Sequence, residues 1–184
     1  MNYIRRIFSV VVVILFSLST LAFAQSHEHE SSGQKSEAQK SFETMKSLAG
    51  SWNGRLFVPE HPELENKSGR VTFRVTSMGN ALVHEMTGEG RPDDPITMIY
   101  LDGDHLLLTH YCDAGNRPRM EGKMSADGKT LEFSFIDLSG STQYGHMHHA
   151  VFTLIDANHH TEDWTYMEPS DKPIHAHMEY ERSK

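Results

Sequence analysis

Past residue 50, apolar and polar residues alternate with a period of two along most of the chain. That is the signature of strands with one buried face. The stretch Ile96 to Cys112, ITMIYLDGDHLLLTHYC, shows it best, as two apolar runs around Asp102-Gly103. Asp-Gly between such runs predicts a hairpin, because both residues tolerate the positive φ of a tight turn. On the second arm Leu106, Leu108, His110 and Cys112 share one face, and Leu107, Thr109 and Tyr111 the other. The same plan recurs around Met78-Gly79-Asn80, Ala126-Asp127-Gly128-Lys129 and Asp156-Ala157-Asn158. With a strand after Trp52 and a last one from Ile174 to Glu181, ten short strands are expected. One helix is expected before them, since Ala38, Phe42, Met45 and Leu48 recur at helical spacing within Ser36 to Leu48.

Regular strands with a turn signal every dozen or so residues predict an all-β meander. Left open, such a sheet would expose two edges and one apolar face. Closure into an antiparallel up-and-down barrel removes both. A two-sheet sandwich is the alternative, but the short connections leave no obvious Greek-key crossover. The expected fold is therefore an all-β, ten-stranded up-and-down barrel with a short N-terminal helix.

The N-terminus reads differently. Arg5 and Arg6 precede the apolar run Ile7 to Leu21, and Ala22-Phe23-Ala24 offers a small-x-small cleavage pattern. Residues 1–24 are expected to be a signal peptide, 25–40 a disordered polar leader, and 41–184 a single barrel domain. The exported form would start at Gln25, in the periplasm or outside the cell, with no stable membrane insertion once the signal is removed. Without Arg5 and Arg6, 17 basic residues become 15 against 25 acidic ones, a net charge of −10. A nucleic-acid partner is thereby excluded, since it needs a basic footprint. Cys112 is the only cysteine of the chain, so no intrachain disulfide can form.

Gly50-Ser51-Trp52-Asn53-Gly54, after a short helix and before about ten strands, resembles the start of calycin-type barrels. It is similar to the lipocalin-like and nitrobindin-like bacterial proteins, including secreted domains of unknown function. The resemblance implies a calycin-like barrel around a small, mostly apolar ligand, and nitrobindin-like members bind haem. Here Arg55-Leu56-Phe57 follows Gly54, where nitrobindin-like chains have a further glycine and a Tyr-Pro-Thr-Ile-like strand. The resemblance therefore assigns no haem-ligating histidine.

Alternation sorts the candidate site. Outward Glu85, Thr109, Asp163 and Thr165 turn His84, His110, Cys112, Glu162 and Trp164 inward, and outward Thr153 does the same for His148. His84, Tyr100, His110, Cys112, His148, Glu162 and Trp164 are the candidate ligand-binding residues. Buried polar groups need partners, since an unmet one costs ~1–3 kcal/mol. His110 is expected to pair with Glu162. A few polar groups converging in an apolar cavity are the usual anatomy of a small-molecule site.

Two alternatives stand beside that reading. One is an exported enzyme using a His110/Glu162 site on a small substrate. The other is a histidine-based metal protein. All thirteen histidines follow residue 24, and the i, i+2 pairs His146/His148 and His175/His177 each project from one strand face, as nitrogen ligands for Zn²⁺ or Cu²⁺ would. Haem or a divalent metal would suit this histidine supply, and the sequence selects neither.

Overall fold

The computed structural model describes residues 34–88, 90 and 94–184. The expected signal segment and the leader as far as residue 33 lie outside the described residues. Helix α1, Glu37–Lys46, starts on a complete capping box. Ser36 Oγ accepts from the Gln39 backbone N–H, and the Gln39 side chain accepts from the Ser36 N–H. Two otherwise unmet backbone donors are thereby satisfied. Glu37 to Lys40, within the range expected for the leader, are thus the first turn of this helix.

Ten strands follow: β1 Gly50–Phe57, β2 Lys67–Thr76, β3 Ala81–Gly88, β4 Ile96–Asp102, β5 His105–Tyr111, β6 Asn116–Met124, β7 Thr130–Gly140, β8 His146–Leu154, β9 His159–Met167 and β10 Pro173–Arg182. Each pairs antiparallel with its sequence neighbours, and β1 pairs with β10 to close the barrel. The expected all-β up-and-down barrel is the observed fold. The hairpin at the centre of the sequence argument is β4–β5, and Gly103 takes the left-handed conformation its turn requires, at φ +59°.

The two ends of the barrel differ. Phe42 and Met45 of α1, with Leu48 just after it, are buried in the same core cluster as the strand residues Trp52, Val71, Ile99 and Leu106. The helix therefore stoppers the end where β1 begins. Trp52 locks it there, donating its indole N–H to the Leu48 carbonyl at 2.8 Å. Arg182 of β10 lies over the Trp52 ring, 4.0 Å from its centroid, and donates to the Ala49 and Ser47 carbonyls. These contacts explain the Gly-x-Trp element. A Cβ at Gly50, whose φ is +131°, would stand 2.9 Å from the Arg182 guanidinium. Among the described residues, no helix is long and apolar enough to cross a membrane.

Candidate functional site

The interior is filled near the stoppered end and hollow near the other. The filled part contains Phe73, Leu82, Leu108, Met120, Phe133 and Phe152, all with at most 2 % of their surface exposed. The hollow part is a cavity of about 890 Å³. Its floor and walls include Met86, Met147, Trp164, Tyr166, Ala176, Met178 and Tyr180. Val58, His61 and Leu64, between β1 and β2, border it, as do Cys112, Asp113 and Ala114 after β5 and Tyr144 before β8. The barrel is thus a cup with its mouth at the end opposite α1.

Two polar arrangements sit at and below the floor. His110 is buried and lines the cavity, and its Nδ1 lies 2.8 Å from the hydroxyl of Thr97, its cross-strand neighbour on β4. Deeper, Glu162 is fully buried and its carboxylate is surrounded by donors. His84 Nε2 lies 3.2 and 3.1 Å from its two oxygens. His160 Nε2 lies 3.1 Å from Oε1, and the Trp164 indole N–H donates to Oε2 at 2.9 Å. An ionised carboxylate only accepts, so each of these nitrogens presents its N–H to it.

Burial alone would raise the Glu162 pKa. The His84 charge and the hydrogen bonds from His160 and His84 outweigh it and bring the group down to about 2. The Nδ1 atoms of His84 and His160 are buried with no hydrogen-bond partner among the described residues. Trp164 joins the two levels, since its ring lines the cavity while its N–H reaches Glu162. Tyr180 does similarly, lining the cavity and stacking on His160 at 5.0 Å between ring centroids. Its hydroxyl is held in the neutral form, first by burial and then by the Glu162 charge.

The candidate residues divide accordingly. His84, His110, Glu162 and Trp164 are buried, as alternation requires, and Cys112 is half-buried on the cavity wall. The expected His110–Glu162 pair is replaced by two separate ones. His110 takes Thr97, and Glu162 takes His84, His160 and Trp164. Alternation orders residues along a strand but does not say which strand lies across the interior. Tyr100 turns away from its buried neighbour Ile99, and its hydroxyl meets that of Thr109 at 3.1 Å. It does not line the cavity.

His148 departs from its expected face for a local reason. A register irregularity between Met147 and His149 interrupts the β8–β9 ladder. Met147 then lines the cavity, and His148 packs against Phe135, ring centroids 4.8 Å apart. A bulge flips alternation beyond it. Thr97 and His160 belong to this buried network but were not among the candidate ligand-binding residues. Counting back by twos from Ile99 and from Glu162 would have found both.

The histidine pairs do not converge. His146 Nε2 lies 3.2 Å from His148 Nδ1 on β8, and burial, then the His148 charge, lowers the His146 pKa. On β10, His175 Nδ1 meets Glu60 at 2.9 Å and His177 Nδ1 meets Asp163 at 2.6 Å. Strand β9 separates the two pairs, so about 9–10 Å of sheet lies between them. Among the described residues, no three His, Cys, Asp or Glu side chains are grouped to hold a metal ion.

No family model matches the chain, and no curated protein matches it. Solved structures of similar shape exist. One is Rv2717c from M. tuberculosis, with a TM-score of 0.58 and 14 % identity over 78 % of this chain and 98 % of that one. Another is a DUF3598-family protein of unknown function from Nostoc punctiforme, with a TM-score of 0.50 and 11 % identity over 76 % of this chain and 49 % of that one. At such identities the likeness is one of fold.

Proposed function

We propose that this protein is an exported barrel that binds a small apolar or amphipathic molecule in its cup. The observation that carries the reading is the cavity. Its volume of about 890 Å³ falls in the range of small-molecule pockets, ~300–1,000 Å³. Its walls are mainly Met, aromatic and aliphatic side chains, with His110 as a fixed polar group on the floor. A solid core would have served stability better, since empty apolar volume forfeits contacts and destabilises a fold.

The test is titration with N-phenyl-1-naphthylamine, a neutral apolar fluorophore. Saturable one-to-one binding is expected. Ala176→Trp, which places an indole on the cavity wall, should weaken it at least tenfold with an unchanged melting temperature. Absence of saturable binding, or the same affinity in the Ala176→Trp variant, would sink the proposal. Export rests on Arg5, Arg6, the apolar run and Ala22-Phe23-Ala24. N-terminal sequencing of the secreted form should begin at Gln25. A product retaining Ile7 to Leu21 in the membrane fraction overturns that part alone.

A further inference from the structure

The upper wall of the cup has an unusual composition. On β2, the inward positions below the mouth are Lys67 and then Gly69, followed by buried Val71 and Phe73. Gly69 pairs with Gly54 of β1 on one side and with Gly88 of β3 on the other. Three neighbouring strands therefore present glycine at the same level. The Gly54 position is covered, because a Cβ there would overlap the Tyr180 ring and the Glu179 carbonyl. The Gly69 position is open, since its Cβ would meet nothing nearer than the Thr87 carbonyl at 3.6 Å. Gly69 and Gly88 both line the cavity, so the wall there is bare backbone.

Directly above this bare wall is a cation. Lys67 lines the cavity and pairs across the ladder with Leu56, which lines it too. It makes no ion pair among the described residues, and Glu63 senses its charge only as a minor influence. Arg55, between inward Gly54 and Leu56 on β1, turns its exposed side chain to the outer face beside Glu179 and leaves Lys67 as the cation of this wall. Asp113 is the single carboxylate among the described lining residues, and it sits after β5, with β3 and β4 between it and β2. Among the described lining residues, the cation Lys67 stands beside the bare wall and the carboxylate Asp113 across the mouth from it. Low-dielectric walls focus such a charge onto whatever enters.

We propose that the cup selects an amphipathic organic anion. Its acid group sits at Lys67, its broadest part lies against the bare backbone at Gly69 and Gly88, and its apolar end reaches Met86, Trp164 and Met178. The size of the open wall favours a ring system next to the acid over a thin unbranched chain. The proposal rests on the ligand-binding reading above and adds the class of ligand and its orientation.

A matched pair of probes tests it. 1-Anilinonaphthalene-8-sulfonate carries the same aromatic body as N-phenyl-1-naphthylamine plus one sulfonate. The sulfonate is expected to bind about fivefold tighter, the scale of one partly exposed charge pair. Lys67→Gln should bring the two affinities together by weakening the sulfonate alone. Gly69→Leu should weaken both probes at least tenfold while the melting temperature stays within a few degrees. Equal affinities in the unmodified protein, or a sulfonate preference that survives Lys67→Gln, would overturn the anion assignment while leaving the cavity reading intact. If neither probe responds to Ala176→Trp, the cavity reading itself falls.

Discussion

Glu162 is the residue whose environment is most demanding. A carboxylate taken out of water is stable only if donors replace the water. Here His84, His160 and Trp164 supply three N–H groups. Because the folded pKa is depressed to about 2, below the ordinary value of 4.5, the network's stabilisation is present above the unfolded carboxyl pKa. It is lost as pH falls from about 4.5 towards 2. A denaturant midpoint followed over that range should fall in the unmodified protein. Glu162→Gln should remove that part of the pH dependence. At neutral pH the same substitution should cost about 3 kcal/mol, because a Gln amide cannot accept from all three donors. A flat midpoint from pH 5 to pH 2 in the unmodified protein would contradict the ionised assignment.

At the scale of elements, the helix and the strand ends have separate duties. Helix α1 belongs to stability. Met45 is fully buried against the barrel interior at the end away from the mouth. Met45→Ala should cost about 2–5 kcal/mol by cavity formation, yet leave probe affinity unchanged, as a chemical melt beside a titration would show. Ser36→Ala removes one half of the capping box and should cost about 1 kcal/mol. The strand ends at the mouth shape the cavity, through departures from a regular wall of side chains. The irregularity in β8 exchanges His148 for Met147 on the cavity wall, and the glycine row withholds side chains from β1, β2 and β3. Both devices change the shape of the cavity without altering the order of the strands.

At the scale of the molecule, closure between β1 and β10 turns ten amphipathic strands into a vessel. That seam is where Gly54 meets Tyr180. Gly54→Ala must push the Tyr180 ring and the β10 backbone aside, and should cost about 1–3 kcal/mol as overpacking. Gly69→Ala, facing open space, should cost well under 1 kcal/mol, since the gain in backbone rigidity offsets any loss of ladder fit. Differential melting of the two variants checks this. Similar losses at both positions would mean that the seam is more pliant than its packing implies.

Much of this architecture was readable from residues alone. Alternation with period two, the Asp102-Gly103 turn and the regular hairpins specified ten strands, because side-chain direction and turn conformation are local properties of the backbone. The same locality placed His84, His110, Glu162 and Trp164 inside. What neighbours them could not be read. Glu162 meets His84 from 78 residues away in sequence, and that meeting depends on barrel closure and on the register of every strand between them. The bulge at His148 is likewise a one-residue event that shifts a face without altering composition. The bare wall below Lys67 is three single glycines, unremarkable in sequence, that closure and register set side by side. Local chemistry chose the strands and their inner faces. Long-range pairing decided which inner residues touch, and so where the cup is full and where it is hollow.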